Sequence, residues 1–358
     1  MFITINNLSF NSENFDKVSV KFHQLFNQNL FLFEFLKSWY QEKLVYEILT
    51  SGSTSSQKQI RLKRTSLIAG ANQIIDFLKL KNENILCCIP IDKIGGLMMI
   101  VRALVGDFKI TITTPTADPM YELVKNHDFS FVSLVPYQLI NILNNEESFS
   151  KLNRFKIILI GGAALNNDLQ NKIKKLKPDV YHTFGMTETC SNFALKKLNN
   201  ESWKYYKPYQ NIKLKVDSLG ILSVKGKQTD NKWIKTNDIV KIYDDGFEFI
   251  GRSDFVINTG GFKISPEVLE KKIQNLIDVK SENTEFLISL VNSQEWGQMI
   301  VLVHNNILFF ENNDFKKLLK SSLEKHEMPK KFVFLEKIPK NKSMKTDRKS
   351  IQNIIAKI

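Results

Sequence analysis

Between residues 44 and 184 short apolar runs alternate with stretches of helical spacing, and this alternation limits the possible architecture more than any other feature of the chain. The runs at 44–49, 85–89, 108–112, 129–135, 155–160 and 180–184 have the length and texture of strands. Between them, 65–80, 95–105, 119–127, 136–144 and 166–176 read as helices. Repeated strand–helix alternation predicts an α/β domain whose parallel sheet is covered by helices on both faces. In such sheets ligands bind beyond the carboxyl ends of the strands. Four polar loops fall at that edge: 50–58 after the first strand, 90–96, 161–165 and 187–190.

Upstream, Phe22, Leu25, Phe26, Leu30, Phe33, Leu36 and Trp39 recur at near-helical spacing, which predicts a helical docking segment. Downstream the texture changes. Residues 212–216, 219–224, 233–235, 239–243 and 247–250 are short strands set off by Gly220 and Asp245-Gly246, as in an antiparallel barrel or meander. A polar stretch opens at Gly251-Arg252-Ser253-Asp254. Beyond it, 265–276, 286–291, 299–304, 314–325 and 331–335 read as a small α+β domain, closed by a basic loop at 339–348 and a short helix.

With 358 residues and 43% apolar content the chain is long enough for two domains. No run of about 18 apolar residues predicts a membrane span. The first residues lack the basic and apolar regions of a secretory signal. Three cysteines, two of them adjacent (Cys87, Cys88) and Cys190 remote, make neither a disulfide framework nor a zinc site, so a reduced cytoplasm is expected. The net charge of +13 admits nucleic-acid binding through residues 58–64 and 340–348. The lysines are spread along the whole chain, however, which favours a solvated surface with a site for anionic small molecules over a nucleic-acid partner.

The loop Thr50-Ser51-Gly52-Ser53-Thr54-Ser55-Ser56-Gln57-Lys58 has the chemistry of a polyphosphate cradle. Backbone N–H groups and hydroxyls donate to phosphate oxygens, Gly52 permits close approach, and Lys58 adds a point charge. It is not a Walker loop, because Gln59 follows Lys58. In isolation the solvated serine-rich turn is the favoured reading.

Five motifs in fixed order make the chain resemble the adenylate-forming superfamily of acyl-CoA synthetases, luciferases and peptide-synthetase adenylation domains. They are the Thr50–Lys58 loop; Tyr181-His182-Thr183-Phe184-Gly185-Met186-Thr187-Glu188; Thr236-Asn237-Asp238; Gly251-Arg252-Ser253-Asp254 with Gly260-Gly261-Phe262-Lys263-Ile264-Ser265-Pro266 and Glu270; and the basic segment containing Lys345 and Arg348. The resemblance runs from about residue 44 to the end. Ser55, Gln57, Asn237 and Met344 depart from it, and the part ahead of the phosphate loop is short for the family. Within the superfamily the chain is most similar to the short o-succinylbenzoate–CoA ligases of menaquinone synthesis. That likeness is carried by Pro90-Ile91-Asp92-Lys93-Ile94-Gly95-Gly96-Leu97-Met98-Met99-Ile100-Val101-Arg102, Ser133-Leu134-Val135-Pro136-Tyr137, Ile160-Gly161-Gly162-Ala163 and Thr187-Glu188-Thr189-Cys190-Ser191.

The resemblance implies a large adenylation domain at 1–250, a hinge at 251–254 and a small mobile domain at 255–358. It also implies two-step chemistry on small molecules: an aromatic carboxylic acid, ATP with Mg²⁺, and coenzyme A. Lys345 would act on the carboxylate and the bridging oxygen. Glu188 and Thr187 would hold Mg²⁺ against phosphate. Thr50, Ser51, Gly52, Ser53, Thr54, Lys58, Gly161, Gly162, Ala163, Phe184, Gly185, Asp238 and Arg252 would bind ATP, with Asp238 on the ribose and Phe184 at the adenine. Asp254 would be the hinge, and Gly260, Gly261 and Lys263 would meet coenzyme A. Lys93, Arg102, Ser133 and Ser191 are candidates for the second carboxylate of the acid, since an unpaired buried carboxylate is costly. Other readings are a ligase for another aryl or fatty acid, transfer to a carrier-protein thiol, and a non-catalytic acyl-nucleotide-binding protein.

Overall fold

The computed structural model describes residues 3–5, 8–10, 13–15, 30–49, 58–162, 165, 167–200, 202–277, 284–340 and 346–358. In chain order the first part runs β1 (Ile3–Ile5), β2 (Leu8–Phe10), α1 (Leu30–Tyr40), β3 (Val45–Leu49), β4 (Gln59–Lys63), α2 (Arg64–Leu78), β5 (Asn84–Cys87), α3 (Ile94–Gly106), β6 (Lys109–Ile112), β7 (Phe131–Leu134), α4 (Pro136–Leu143), α5 (Glu146–Leu152), β8 (Ile157–Ile160), α6 (Asn167–Ile173), β9 (Asp179–Met186), β10 (Ser191–Lys197) and β11 (Lys207–Pro208). Among these residues the largest sheet has the order β11-β10-β9-β8-β7-β5-β6-β1-β2. From β9 to β1 the neighbours are parallel. The outer strands β10, β11 and β2 pair antiparallel.

Both faces of the parallel strands are buried, which is why their sequences are apolar runs rather than alternations. Ile85 and Cys87 of β5 join one core with Leu36 of α1, Ala71 of α2 and Leu97 of α3. Leu86 and Cys88 face the opposite core with Leu139 of α4, Leu152 of α5 and Ile173 of α6. Helix α3 is buried from Gly96 to Leu104, as expected of a helix apolar on all sides, and Arg102 is enclosed with it.

The structure corrects several expectations. The run at 44–49 does not open the parallel sheet; β3 pairs with β4 in a separate antiparallel hairpin. The serine-rich loop therefore joins two hairpin strands instead of a strand and a helix. Alternation in β4, with only Leu62 buried, marks the half-exposed strand that the apolar-run criterion passed over. Residues 119–127 form turns, not a helix. Met120 is buried there while Tyr121 and Val124 are about 70% exposed, so no continuous apolar stripe faces the core. Of the docking segment, the described part is helical over Leu30–Tyr40, and residues 22–29 lie outside the described residues.

Next comes a four-stranded antiparallel meander of β12 (Lys213–Val216), β13 (Ile221–Lys225), β14 (Ile234–Tyr243) and β15 (Gly246–Arg252). The strands expected at 233–235 and 239–243 are one continuous strand. The final part contains β16 (Ile257–Thr259), β17 (Phe262–Ile264), α7 (Pro266–Leu276), β18 (Phe286–Ser293), β19 (Gly297–His304), α8 (Ile307–Phe310), α9 (Asn313–Ser322), β20 (Lys331–Phe334) and α10 (Arg348–Ile355). Its cores are built from residues 257–355 alone. The β16–β17 hairpin has a two-residue turn, Gly260-Gly261, with φ of +52° and +84°. Both positions lie in the left-handed region, the requirement of a type I′ turn that glycine meets without a Cβ penalty.

Candidate functional site

The carboxyl edge of the parallel sheet gathers one half of the candidate site. The Gly161 N–H donates to the Leu134 carbonyl at 3.0 Å, and a Cβ there would stand 2.7 Å from Thr183 Oγ1. Gly162 follows with φ +100°. On β9, Gly185 lies against β10 so closely that a Cβ would meet the Ser191 carbonyl oxygen at 2.1 Å and Asn192 Cα at 2.5 Å. After β9 the chain makes a 3-10 turn, Thr187–Thr189, that carries Glu188, half-buried. Thr189, not Thr187, caps this turn: its hydroxyl accepts from Met186 N–H at 3.0 Å. Cys190 and Ser191 then take φ of +50° and +76°. Two consecutive non-glycine residues in that region store strain that the surroundings must hold.

Those surroundings are a buried polar network. Arg102, 1% exposed, donates through Nη2 to Asn192 Oδ1 at 2.7 Å and through Nη1 to Met99 Sδ. Asn192 Nδ2 donates to the Tyr209 hydroxyl, and Ser191 Oγ lies 3.2 Å from Asn192 Oδ1. Burial pulls the Arg102 pKa down to about 10, still charged at neutral pH. Arg102, expected on the acid side of the site, is enclosed here and reaches Asn192 beside Ser191, a second residue expected there. Asn192 and Tyr209 were not singled out from sequence, because only the tertiary fold brings residues 102, 192 and 209 together.

Of the other acid-side candidates, Lys93 sits half-buried at the start of α3 with its ammonium 3.1 Å from Asp92. Ser133 is half-buried in β7, in register with Cys87. Ser191 shares Asn192 with Arg102. The structure does not bring Lys93 into this group. Lys58 is exposed at the foot of β4, which packs beside the Thr187–Thr189 turn. Thr50, Ser51, Gly52, Ser53 and Thr54, with Ala163 and Lys345, lie outside the described residues.

The second half lies at the end of the meander. Asp238 pairs in register with Arg252 across β14 and β15. Arg252 Nη1 donates to Asp238 at 3.2 Å, and Nε and Nη2 grip Asp254 at 2.9 and 2.8 Å. Burial pushes the Asp238 carboxyl above its ordinary value, with the guanidinium opposing it. Burial also works against the Arg252 charge, but Asp254 and Asp238 more than offset it and raise its pKa. Ser253 N–H and Oγ both donate to Asn237 O, and Asn237 Nδ2 reaches Asp254 at 3.4 Å. The segment 252–254 is therefore laced to β14. Phe184 joins the halves: its ring lies 5.1 Å from Phe247 and 5.7 Å from Phe249 of β15, and it also packs on Phe193 and Tyr206.

The residues present fit a magnesium nucleotide. Gly161 and Gly185 mark places where backbone approaches closely, and a carboxylate stands in each half. Among the described residues no cluster of three His, Cys, Asp or Glu side chains is available to hold a metal by itself. A hard cation here would share Glu188 with phosphate oxygens and water, the usual ligand set for Mg²⁺. The other expected residues lie farther along the chain: Gly260 and Gly261 at an exposed turn, with Lys263 exposed on β17. A Cβ on Gly261 would meet nothing within 4 Å, so backbone conformation accounts for this glycine here.

The family model described as "AMP-binding enzyme" matches residues 12–224, and the chain belongs to that family. The fold is that of adenylate-forming enzymes. The 2-succinylbenzoate–CoA ligase of Staphylococcus epidermidis is 26% identical over 342 residues, covering 87% of this chain and 70% of that protein. The ligase of that name from Lactococcus lactis is 25% identical, covering 76% and 62%. Among solved structures, an acyl-CoA synthetase (AMP-forming)/AMP-acid ligase II-like protein from Dyadobacter fermentans is similar at 33% identity and TM-score 0.60, covering 90% of this chain and 93% of that one. The o-succinylbenzoate coenzyme A synthetase of Bacillus subtilis, solved with ATP and magnesium ion, has the same fold at 20% identity and TM-score 0.70, covering 84% and 68%. Among the described residues no helix is long and apolar enough to cross a membrane.

Proposed function

We propose that this chain is an ATP- and Mg²⁺-dependent ligase that joins o-succinylbenzoate to coenzyme A through an acyl-adenylate, in menaquinone synthesis. The observation that carries the reading is the pairing of two half-sites, the Glu188 turn and the Asp238–Arg252 pair, across the Phe184 cluster in an adenylate-forming fold. The likeness to 2-succinylbenzoate–CoA ligases supports the choice of acid.

In the first step the acid's carboxylate oxygen attacks the α-phosphorus, a P–O bond forms and pyrophosphate leaves. Two anions must approach, so charge neutralisation and in-line positioning dominate the barrier. Lys345 supplies a cation at the reacting oxygens. Glu188, with Thr187, holds Mg²⁺, which neutralises phosphate charge. The hydroxyls and N–H groups of Thr50, Ser51, Gly52, Ser53 and Thr54, with Lys58, hold the phosphates. Asp238 accepts the ribose hydroxyls, Arg252 steadies the ribose and phosphate, and Gly161, Gly162, Ala163, Phe184 and Gly185 shape the space for the nucleotide. In the second step the coenzyme A sulfur attacks the acyl carbon and AMP leaves.

Residues 1–250 form the large domain in this reading, and 255–358 turn about Asp254 between the steps. That turn exchanges the contacts Asp254 makes with Arg252 and Asn237, a change a few backbone dihedrals absorb. It carries Gly260, Gly261 and Lys263 toward coenzyme A. The test is mass spectrometry of products from purified protein with ATP, Mg²⁺, coenzyme A and a panel of acids. An o-succinylbenzoyl-CoA peak well above the others is expected. Thioesters from other acids only would discard the substrate, and no thioester or AMP from any acid would discard the ligase.

A further inference from the structure

One face of the meander carries positive charge that its own acids do not balance. Leu222 and Val224 of β13 are buried in a core with Phe193 and Phe247, so their alternate neighbours lie on the opposite, outer face. The register sets these in rows. Lys213 of β12 stands directly opposite Lys225 of β13, and Lys215 stands opposite Ser223, which in turn faces Lys235 of β14. Trp233, 40% exposed, shares this face two residues before Lys235. Lys215 Nζ lies 4.4 Å and Lys225 Nζ 6.0 Å from the centroid of its ring. The two carboxylates between residues 211 and 236 are already paired: Asp217 with Lys235 at 2.9 Å, and Asp230 with Lys63 and Lys232 at 2.7 and 3.6 Å. Among the described residues Lys213, Lys215 and Lys225 have no carboxylate partner. Like charges directly opposite each other weaken an antiparallel pair, so folding alone does not favour this layout. On the same β12–β13 hairpin Leu219 is 60% exposed, and Val216 is exposed as well.

We propose that this face, with Lys213, Lys215, Lys225 and Trp233 at its centre, binds the anionic surface of a phospholipid bilayer. Charge complementarity calls for an anionic partner, and the residue types choose which one. Every cation between residues 211 and 236 is a lysine. Protein–protein interfaces favour arginine and are depleted of lysine, whereas lipid headgroups attract ammonium groups that stay hydrated. The segment offers one exposed aromatic ring, not the succession of rings on which single-stranded nucleic acid stacks. An indole at headgroup depth, with Leu219 and Val216 as aliphatic contacts, suits the boundary between headgroups and acyl chains. The inference goes beyond the ligase reading and does not depend on it, since none of these residues is assigned to the candidate site.

The test is co-sedimentation of the full chain with vesicles of mixed phosphatidylglycerol and phosphatidylcholine, and with vesicles of phosphatidylcholine alone. Binding to the anionic vesicles only, weakening as salt rises, is expected. Lys213→Gln with Lys225→Gln should lower the partition about twenty-five-fold, about fivefold for each charge removed. The exchange relieves a repulsion on an outer face, so the variant keeps the fold and its loss of binding reports the charge. A second measurement places the ring: brominated acyl chains should quench the tryptophan fluorescence of wild type more than that of Trp233→Phe. Equal binding to both kinds of vesicle, binding to neither, or undiminished binding by the double variant overturns the proposal. Equal quenching in Trp233→Phe overturns the assigned face. Capture of polyuridylate without binding to anionic vesicles would give the face to nucleic acid and overturn the proposal as well.

Discussion

Gly185→Ala is the substitution whose cost is easiest to work out. The new methyl carbon would start 2.1 Å from the Ser191 carbonyl oxygen, where an ordinary contact begins at 3.4 Å. Strands β9 and β10 must therefore separate locally by about 1.3 Å. The obstacle is backbone on backbone, so no side chain can rotate away. Separation of that size weakens the ladder at the Gly185–Asn192 pairing and pulls on Asn192, whose amide anchors Arg102. Overpacking of about 1–3 kcal/mol and about one lost hydrogen bond give a destabilisation of roughly 2–4 kcal/mol. The Glu188 turn moves with the strands, so AMP formation should fall more steeply than the folded fraction. Urea unfolding checks the first number, and acid-dependent AMP release per folded molecule checks the second. A variant within about 0.5 kcal/mol of wild type, with normal AMP release, would refute the argument.

Other expectations follow from the ion pairs and the buried histidine. Arg348→Met leaves Glu270 without its cation, and should cost about 3–5 kcal/mol in the transition of the small part, read by urea unfolding. Arg252→Lys loses the two-bond grip on Asp254; thermal stability should change by less than about 1 kcal/mol while KM for ATP rises about tenfold. His304 is fully buried, and burial holds its pKa below the ordinary 6.5, with Glu311 pulling the other way and Lys316 adding to the depression. Just below pH 6.5 the unfolded chain then binds more protons than the native one, so stability falls as pH drops through that window. His304→Phe, whose ring would sit beside Phe310 and Phe334, should melt with a smaller loss between pH 7.5 and pH 5 than wild type. Equal losses would show that His304 is not a source of the slope.

The parallel sheet was legible because β5, β7 and β8 are buried on both faces, and burial writes itself as an apolar run. Strands β4 and β10 were not: β4 alternates with only Leu62 buried, and β10 opens on Ser191 and Asn192 and closes on Lys196 and Lys197, so neither reads as an apolar run. Strand β1 was missed because three residues reveal nothing until β6, remote in sequence, lies beside them. The candidate site divides in the same way. Glu188, Asp238, Arg252 and Asp254 stand out by residue type and motif order, and the structure pairs Asp238 with Arg252 and Arg252 with Asp254. Arg102 was expected at the second carboxylate of the acid from residue type; that the helix carrying it is buried on all sides, with its guanidinium on Asn192, was not legible. The network of Arg102, Asn192 and Tyr209 depends on three remote segments meeting, which no local pattern encodes. Gly260 and Gly261 were read as clearance for a ligand; in this arrangement they are demanded by the turn.

The account stands or falls on adenylation at the edge of this sheet. Its most direct test is isotope exchange between pyrophosphate and ATP, with and without o-succinylbenzoate, in wild type and Lys345→Ala. Exchange that requires the acid in wild type and is lost in Lys345→Ala, with thiolysis of supplied acyl-AMP retained, is the expected result. Exchange absent from wild type with every acid, or undiminished in Lys345→Ala, would contradict it.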